Sequence, residues 1–312
     1  SGIALFLLYL WKETKNKKYL DVALEAIEPI KLKIKHNIFN KENLSGAFKG
    51  ASGLFYVLNK FGKVLKDEAY DKFIKNNLSI LDRLSEIDNI NDLIGGNVGL
   101  IAVLLSIYQN TLDYELKESM LKVCYKCVKR LKENITIENG NDYIINKNAL
   151  KYSGFSHGTC GLIAYIYKLY TITMDKEIYV FFSKLLKYER ETFKSEKMQD
   201  WHISTENDDL SYGWCHGSPG ILLSRVILKE LGYKDEIIDF EVNIALTNIL
   251  KFGIGNNISY CHGDLGNIDI LLYYSKVFND KKVDEIARDM LNRLYQNTLK
   301  DNWNNINKSY SK

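Results

Sequence analysis

Gly158-Thr159-Cys160-Gly161-Leu162-Ile163-Ala164-Tyr165-Ile166-Tyr167 reads as a Gly-x-x-Gly turn that runs directly into a helix apolar on nearly every face. A helix with no polar side has to be buried. The pattern recurs at Gly50/Gly53, Gly96/Gly99, Gly217/Gly220 and Gly263/Gly266, and Ser1-Gly2 is the tail of a further copy. Successive second glycines, from Gly2 to Gly266, stand 46 to 62 residues apart, which is room for two helices per repeat. Between the apolar helices lie amphipathic stretches with charged faces, near Tyr19 to Ile34, Glu68 to Ile87, Tyr114 to Leu131, Glu177 to Phe193, Glu236 to Phe252 and Lys282 to Leu299. These are expected to form an outer, solvated ring.

Alternating buried and half-exposed helices build either an open solenoid or a closed α/α toroid. An open solenoid keeps its concave face wet, whereas these first helices carry few charges and begin with glycines that permit close backbone approach. The expected fold is therefore all-α, a single-domain α/α toroid of inner and outer helices over 1–312, with the turns gathered at one end of the barrel.

Composition agrees. The 312 residues are 46% hydrophobic, enough for a large core. Only two prolines occur, Pro29 and Pro219, and no segment alternates with a period of two. The formal charge of +3 comes from 42 basic and 39 acidic residues scattered along helices, most of them read as solvated surface, so nothing favours nucleic acid. Five cysteines without a disulfide-like spacing fit a reducing cytoplasm, and no apolar run has membrane-spanning length. The chain starts without Met, as a fragment would.

Two turns carry soft metal ligands in one slot: Trp214-Cys215-His216-Gly217-Ser218-Pro219-Gly220 and Tyr260-Cys261-His262-Gly263-Asp264-Leu265-Gly266. Two thiolates and one imidazole around zinc leave a fourth tetrahedral position open, as in catalytic sites. Both turns read Cys-His-Gly, so spacing leaves His216 and His262 as rival third ligands. Ser218 suits an N-cap and Pro219 the first helical position, which puts Cys215 before a helix N-terminus whose dipole favours a thiolate. His157 occupies the histidine slot of the preceding repeat, either as a structural group or as an acid/base. Asp92, in Asn91-Asp92-Leu93-Ile94-Gly95-Gly96, is either a cap or catalytic. Cys124 and Cys127 form a Cys-x-x-Cys inside an amphipathic stretch, with no second pair at metal spacing, and read as one core and one surface residue.

The double motif Trp214-Cys215-His216-Gly217 with Pro219-Gly220, and Cys261-His262-Gly263-Asp264-Leu265-Gly266-Asn267, resembles the lanthionine synthetase C-like family over essentially the whole chain. It looks most like the cyclase domain at the C-terminal end of a bifunctional class II lanthipeptide synthetase. The resemblance implies a bacterial, cytoplasmic protein with a toroid of seven helix pairs, zinc held by Cys215, Cys261 and His262, and His157 and Asp92 as the active-site histidine and aspartate. Six turns are visible, so the toroid is expected to be incomplete at both ends. Stand-alone cyclases of the family have tyrosine at the place of His216 and arginine at the place of Ser211.

The implied activity is a zinc-dependent lanthionine synthetase. It adds peptide cysteine thiolates to dehydroalanine or dehydrobutyrine in a dehydrated precursor peptide, with a dehydratase domain upstream. The competing expectation is a family member that captures glutathione or another thiol at zinc without closing rings. A helical scaffold with structural zinc would need four protein ligands.

Overall fold

A computed structural model describes residues 1–39, 45–140, 142–255 and 257–300. The chain divides into two compact units, Ser1–Thr136 and Ile137–Lys312.

The first unit holds α1 (Gly2–Thr14), α2 (Lys17–Lys35), α3 (Ser52–Leu65), α4 (Ala69–Asn77), α5 (Ser79–Ile87), α6 (Asn97–Asn110) and α7 (Tyr114–Ile135). The apolar helices that follow glycine turns, α1, α3 and α6, pack in sequence, and each is backed by the helix after it. In α6 every residue from Asn97 to Leu105 is buried, as its lack of a polar face requires. α1 departs from the pattern, since Ile3 is 75% and Phe6 64% exposed. The outer stretch 68–87 is two helices rather than one. Near the break the Asn77 side chain takes the carbonyl of Phe73 (2.8 Å), a local bond that competes with the helix ladder.

The second unit begins with a ribbon of β1 (Thr136–Asn139) and β2 (Asp142–Ile145). It continues through α8 (Thr159–Thr173), α9 (Lys176–Phe193), β3 (Lys194–Ser195), β4 (Asp200–Trp201), α10 (Ser218–Glu230), α11 (Glu236–Phe252), α12 (Asp264–Phe278) and α13 (Lys281–Lys300). α10 packs between α8 and α12, and α9, α11 and α13 back them in turn. Strands of two to four residues are too short to show an alternating pattern, and the sequence accordingly gave no sign of them.

The glycines have one structural reason in both units. In all five internal repeats the carbonyl of the residue six places earlier occupies the space where a Cβ on the second glycine would stand. Gly53 meets Ala47, Gly99 meets Leu93, Gly161 meets Phe155, Gly220 meets Trp214 and Gly266 meets Tyr260, at 1.9 to 2.5 Å. The turn thus closes backbone on backbone, leaving no room for a side chain. Outer helices start differently: Asn16, Asp113, Asp175 and Asp235 cap α2, α7, α9 and α11 through their side chains.

Two expectations are corrected. Ser218 is the first residue of α10 and makes no cap bond to it; the N-cap is Gly217 at φ +96°, and the Ser218 hydroxyl donates instead to the Asp200 carboxylate. A glycine free to adopt positive φ lets the chain enter the helix and releases the serine to anchor the 194–212 loop. Cys124 and Cys127 are both fully buried in α7, because residues three apart share one helix face.

Not all charge is on the surface. Arg225 of α10 is fully buried between Glu189 of α9, to which its Nη2 donates, and Glu241 of α11, which its Nε meets at 2.8 Å. Arg190 extends the cluster to Glu241 (2.8 and 3.0 Å) and to Asp235 (2.7 Å). Burial pushes the Glu189 carboxyl up, while for Glu241 it is outweighed by the two arginines, which hold that carboxyl below its ordinary value. Loss of one partner would strand a buried charge, so the cluster fixes how these three helices meet.

Candidate metal centre

The starts of α10 and α12 bring Cys215, Cys261 and His262 together, with their ligand atoms all within 4.8 Å of one another. Cys215 is 1% exposed, Cys261 is half-buried and His262 is exposed, so the group opens toward solvent on its histidine side. Among the described residues His262, and not His216, groups with the two cysteines. Burial, followed by the neighbouring Cys261 thiol, pushes the Cys215 thiol up to about 12. Two sulfurs and an imidazole this close form a soft donor set that suits a dication such as zinc, which would relieve the crowding of two thiolates.

Of the side chains that hold the surrounding backbone, Asn267 and Asp264 stand in the quoted motif without an assigned role, and Asn257 lies outside it. Asn267 of α12, fully buried, donates to the carbonyls of Tyr212 (2.7 Å) and Gly253 (2.6 Å), tying the segment before Cys215 to the one before Cys261. Asn257 donates to the His262 carbonyl (3.1 Å), and its own carbonyl accepts from Asp264 (2.7 Å). Asp264 in turn accepts the Gly255 N–H (3.0 Å). A Cβ on Gly213 would stand 3.0 Å from the His262 Cα and 3.6 Å from the Cys215 sulfur, so a side chain there would intrude on the group. Asparagine after a helix start is a weak signal in sequence, because the same residue serves turns everywhere.

The preceding turn lies against this one. Phe155 donates its N–H to the Trp214 carbonyl (3.3 Å), and Gly154 abuts the Cys215 carbonyl so closely that a Cβ would come within 1.9 Å. This seating places the His157 ring on the His216 ring, with centroids 5.8 Å apart and planes 23° from parallel. His157 is exposed and His216 half-buried; burial first, then His157 and His262, pushes the His216 imidazole down. Asp92 belongs to the first unit, where its carboxylate accepts the Gly95 N–H (2.8 Å) and its carbonyl those of Gly96 and Gly99. It therefore closes its own turn.

The description "lanthionine synthetase C-like protein" matches residues 1–312. The chain belongs to the lanthionine synthetase C-like family. It is 26% identical over 311 residues to the lacticin 481/lactococcin biosynthesis protein LcnDR2 of Lactococcus lactis subsp. lactis, an alignment covering 95% of this chain and 31% of that one. The chain thus spans about a third of that relative's length. A solved structure of nisin cyclase superposes with a TM-score of 0.74 at 19% identity, covering 96% of this chain and 80% of that one. The likeness shows the fold class that the repeats predict, an α/α toroid. Among the described residues of this family member no helix is long and apolar enough to cross a membrane.

Proposed function

We propose that the chain is a zinc-dependent cyclase that closes thioether rings in a dehydrated peptide. The observation that carries the reading is the convergence of Cys215, Cys261 and His262 at neighbouring inner-helix starts in a lanthionine synthetase C-like chain. These three residues would hold zinc and leave one tetrahedral position open. Bound there, zinc would make the thiolate of a peptide cysteine available at neutral pH.

In the reaction the peptide sulfur bonds to the β-carbon of dehydroalanine or dehydrobutyrine. The π pair moves toward the α-carbon and its carbonyl, and a proton then reaches the α-carbon. His157 is the proposed donor: its ring is exposed, and imidazole is the side chain most often used for general acid/base transfer. Asp92 is proposed either to orient His157 or to help remove the proton of the incoming thiol. The peptide would be a lanthipeptide precursor, and the chain would act in the bacterial cytoplasm beside a dehydratase; likeness to a lacticin 481/lactococcin biosynthesis protein supports that class of substrate.

The test is mass spectrometry after thiol alkylation. A synthetic peptide with one dehydroalanine and one cysteine, incubated with the zinc-loaded chain, should lose its alkylatable thiol without a change in mass. Persistence of the free thiol alongside retention of glutathione by the chain would overturn the cyclase reading in favour of thiol capture.

A further inference from the structure

Cys215 stands at the tip of a very short hairpin. Gly213 and His216 exchange both backbone bonds, each N–H meeting the other's carbonyl at 3.2 Å, and Tyr212 bridges Gly217 behind them, so Trp214 and Cys215 form the whole of the turn. The preceding repeat holds the tip: the Trp214 carbonyl accepts the Phe155 N–H (3.3 Å), and the Cys215 carbonyl accepts the Ser156 hydroxyl (3.4 Å). The base of the hairpin meets a different element, β4, through one carboxylate.

Asp200 of β4 is 3% exposed and bonds to both arms. The Ser218 hydroxyl, one residue past the outgoing arm, donates to its Oδ1, and the Tyr212 hydroxyl, on the incoming arm, bonds to the same carboxylate. Burial first, then Asp200, pushes the Tyr212 phenol up to about 12, so it keeps its proton to donate. The Trp201 N–H also reaches Oδ1 of Asp200 (2.8 Å). The segment that carries the carboxylate is itself fixed. Gln199, directly before it, has left-handed backbone (φ +50°), and Asn248 of α11 donates to the Gln199 carbonyl (3.0 Å) and to the Ser218 hydroxyl (3.3 Å). A strained residue held in this way beside a buried carboxylate points to a demand on where that carboxylate stands. Its two hydroxyl partners lie three residues before Cys215 and three after it.

We propose that Asp200 is a positioning residue for Cys215: by bonding Tyr212 and Ser218 at once it sets the spacing of the hairpin arms, and so where the Cys215 sulfur stands relative to Cys261 and His262. For its consequence at the metal this rests on those three residues being the ligands; the bracing of the hairpin does not. Asp200→Ala deprives two hydroxyls of their shared acceptor, while the bonds at the tip do not depend on it. Asp200→Asn keeps an acceptor oxygen for Ser218 and presents an amide N–H to Tyr212, whose hydroxyl accepts as well as donates, so the brace survives.

The experiment compares Asp200→Ala, Asp200→Asn and Tyr212→Phe with the unaltered chain, with the thermal midpoint as the folding control. Zinc affinity is read by competition with a chromophoric chelator, and the ligand geometry by the visible absorption bands of the Co²⁺-loaded chain. D200A should bind zinc about 10-fold more weakly, the low end of what outer partners of metal ligands contribute, with its cobalt bands shifted. D200N should match the unaltered chain within about twofold, and Y212F, which cuts one arm only, should fall between. In the metal-free chain the Gly213 and His216 amide protons should exchange about 10-fold faster in D200A and at the unaltered rate in D200N. Unchanged zinc affinity and cobalt bands in a folded D200A, or a D200N variant as impaired as D200A, would overturn the proposal and leave Asp200 as a prop of the 194–212 loop alone. If D200A does not fold, Y212F decides, and values equal to those of the unaltered chain would overturn it. If the unaltered chain takes up neither metal, the ligand reading fails by itself, and the amide exchange of Gly213 and His216 still decides whether Asp200 braces the hairpin.

Discussion

The turns of the two units are alike in backbone and unlike in the slots that face outward from it. Gly53 and Gly99 in the first unit, and Gly161, Gly220 and Gly266 in the second, all close against a carbonyl six residues back. The two residues before the first glycine are Phe48-Lys49 and Ile94-Gly95 in the first unit, but Ser156-His157, Cys215-His216 and Cys261-His262 in the second. One unit therefore repeats the scaffold without soft ligands, and the other loads the same slots with sulfur and imidazole. The comparison separates what the turn needs in order to fold from what is placed on it for chemistry.

The strongest way to break that separation is to move the chemistry and keep the turn. Cys215→Ala and Cys261→Ala should each drop zinc from about one per chain to well below it and abolish ring closure. Ile94→Ala, at the corresponding slot of the first unit, should leave zinc content unchanged. Elemental analysis checks both, and full occupancy in the two cysteine variants would remove them from the site. Next in size, His157→Asn should keep zinc yet slow cyclisation by about 10² to 10⁴, the usual contribution of an acid/base group. Single-turnover rates are the measure, and zinc loss in this variant would make His157 a ligand instead.

The scaffold half of the comparison predicts a common penalty. Gly99→Ala and Gly161→Ala should each cost about 3 kcal/mol, since both force a Cβ onto a carbonyl 2.1 Å away. Gly2→Ala, with nothing within 4 Å, should be close to neutral. Denaturant midpoints would show it, and a cost confined to one unit would end the claim of a shared turn.

Smaller again is a proton linkage. In the metal-free chain Cys215 keeps its proton to about pH 12, chiefly through burial. Its folded value lies above the ordinary thiol value of 9.0, so metal-free stability is fully present below pH 9 and falls as pH rises toward 12. Zinc binding at neutral pH must expel that proton, so apparent affinity should rise about 10-fold per pH unit for each proton released. An indicator dye in weak buffer would count the protons, and release of none would mean that Cys215 does not bind. The smallest effect belongs to Asp92. Its carboxylate accepts the Gly95 N–H, so Asp92→Ala should cost about 1 kcal/mol. Asp92→Asn keeps an acceptor and should cost less. If Asp92→Asn also cyclises at the full rate, the residue is scaffold and its proposed role in the reaction falls.

Much of this was legible in the chain itself. The repeats of Gly-x-x-Gly before apolar runs determined an all-helical fold of inner and outer helices, because a helix without a polar face can only be buried and its glycine can only mark close backbone contact. The same spacing marked Cys215, Cys261 and one of two histidines as a set, because equivalent slots of neighbouring repeats come close together.

Other features were decided only by the tertiary structure, since each depends on which atoms meet across distant segments. It grouped His262 with the cysteines and stacked His216 on His157, although both turns spell Cys-His-Gly. It gave the Ser218 hydroxyl to Asp200, eighteen residues upstream, where local rules assigned it to its own helix. It buried Arg225 with Glu189 and Glu241 on three different helices, where charge alone read as surface. A periodic pattern fixes which face of a helix is apolar; the partner of a polar group on that face is set by the packing of other helices, and no local stretch of sequence encodes it.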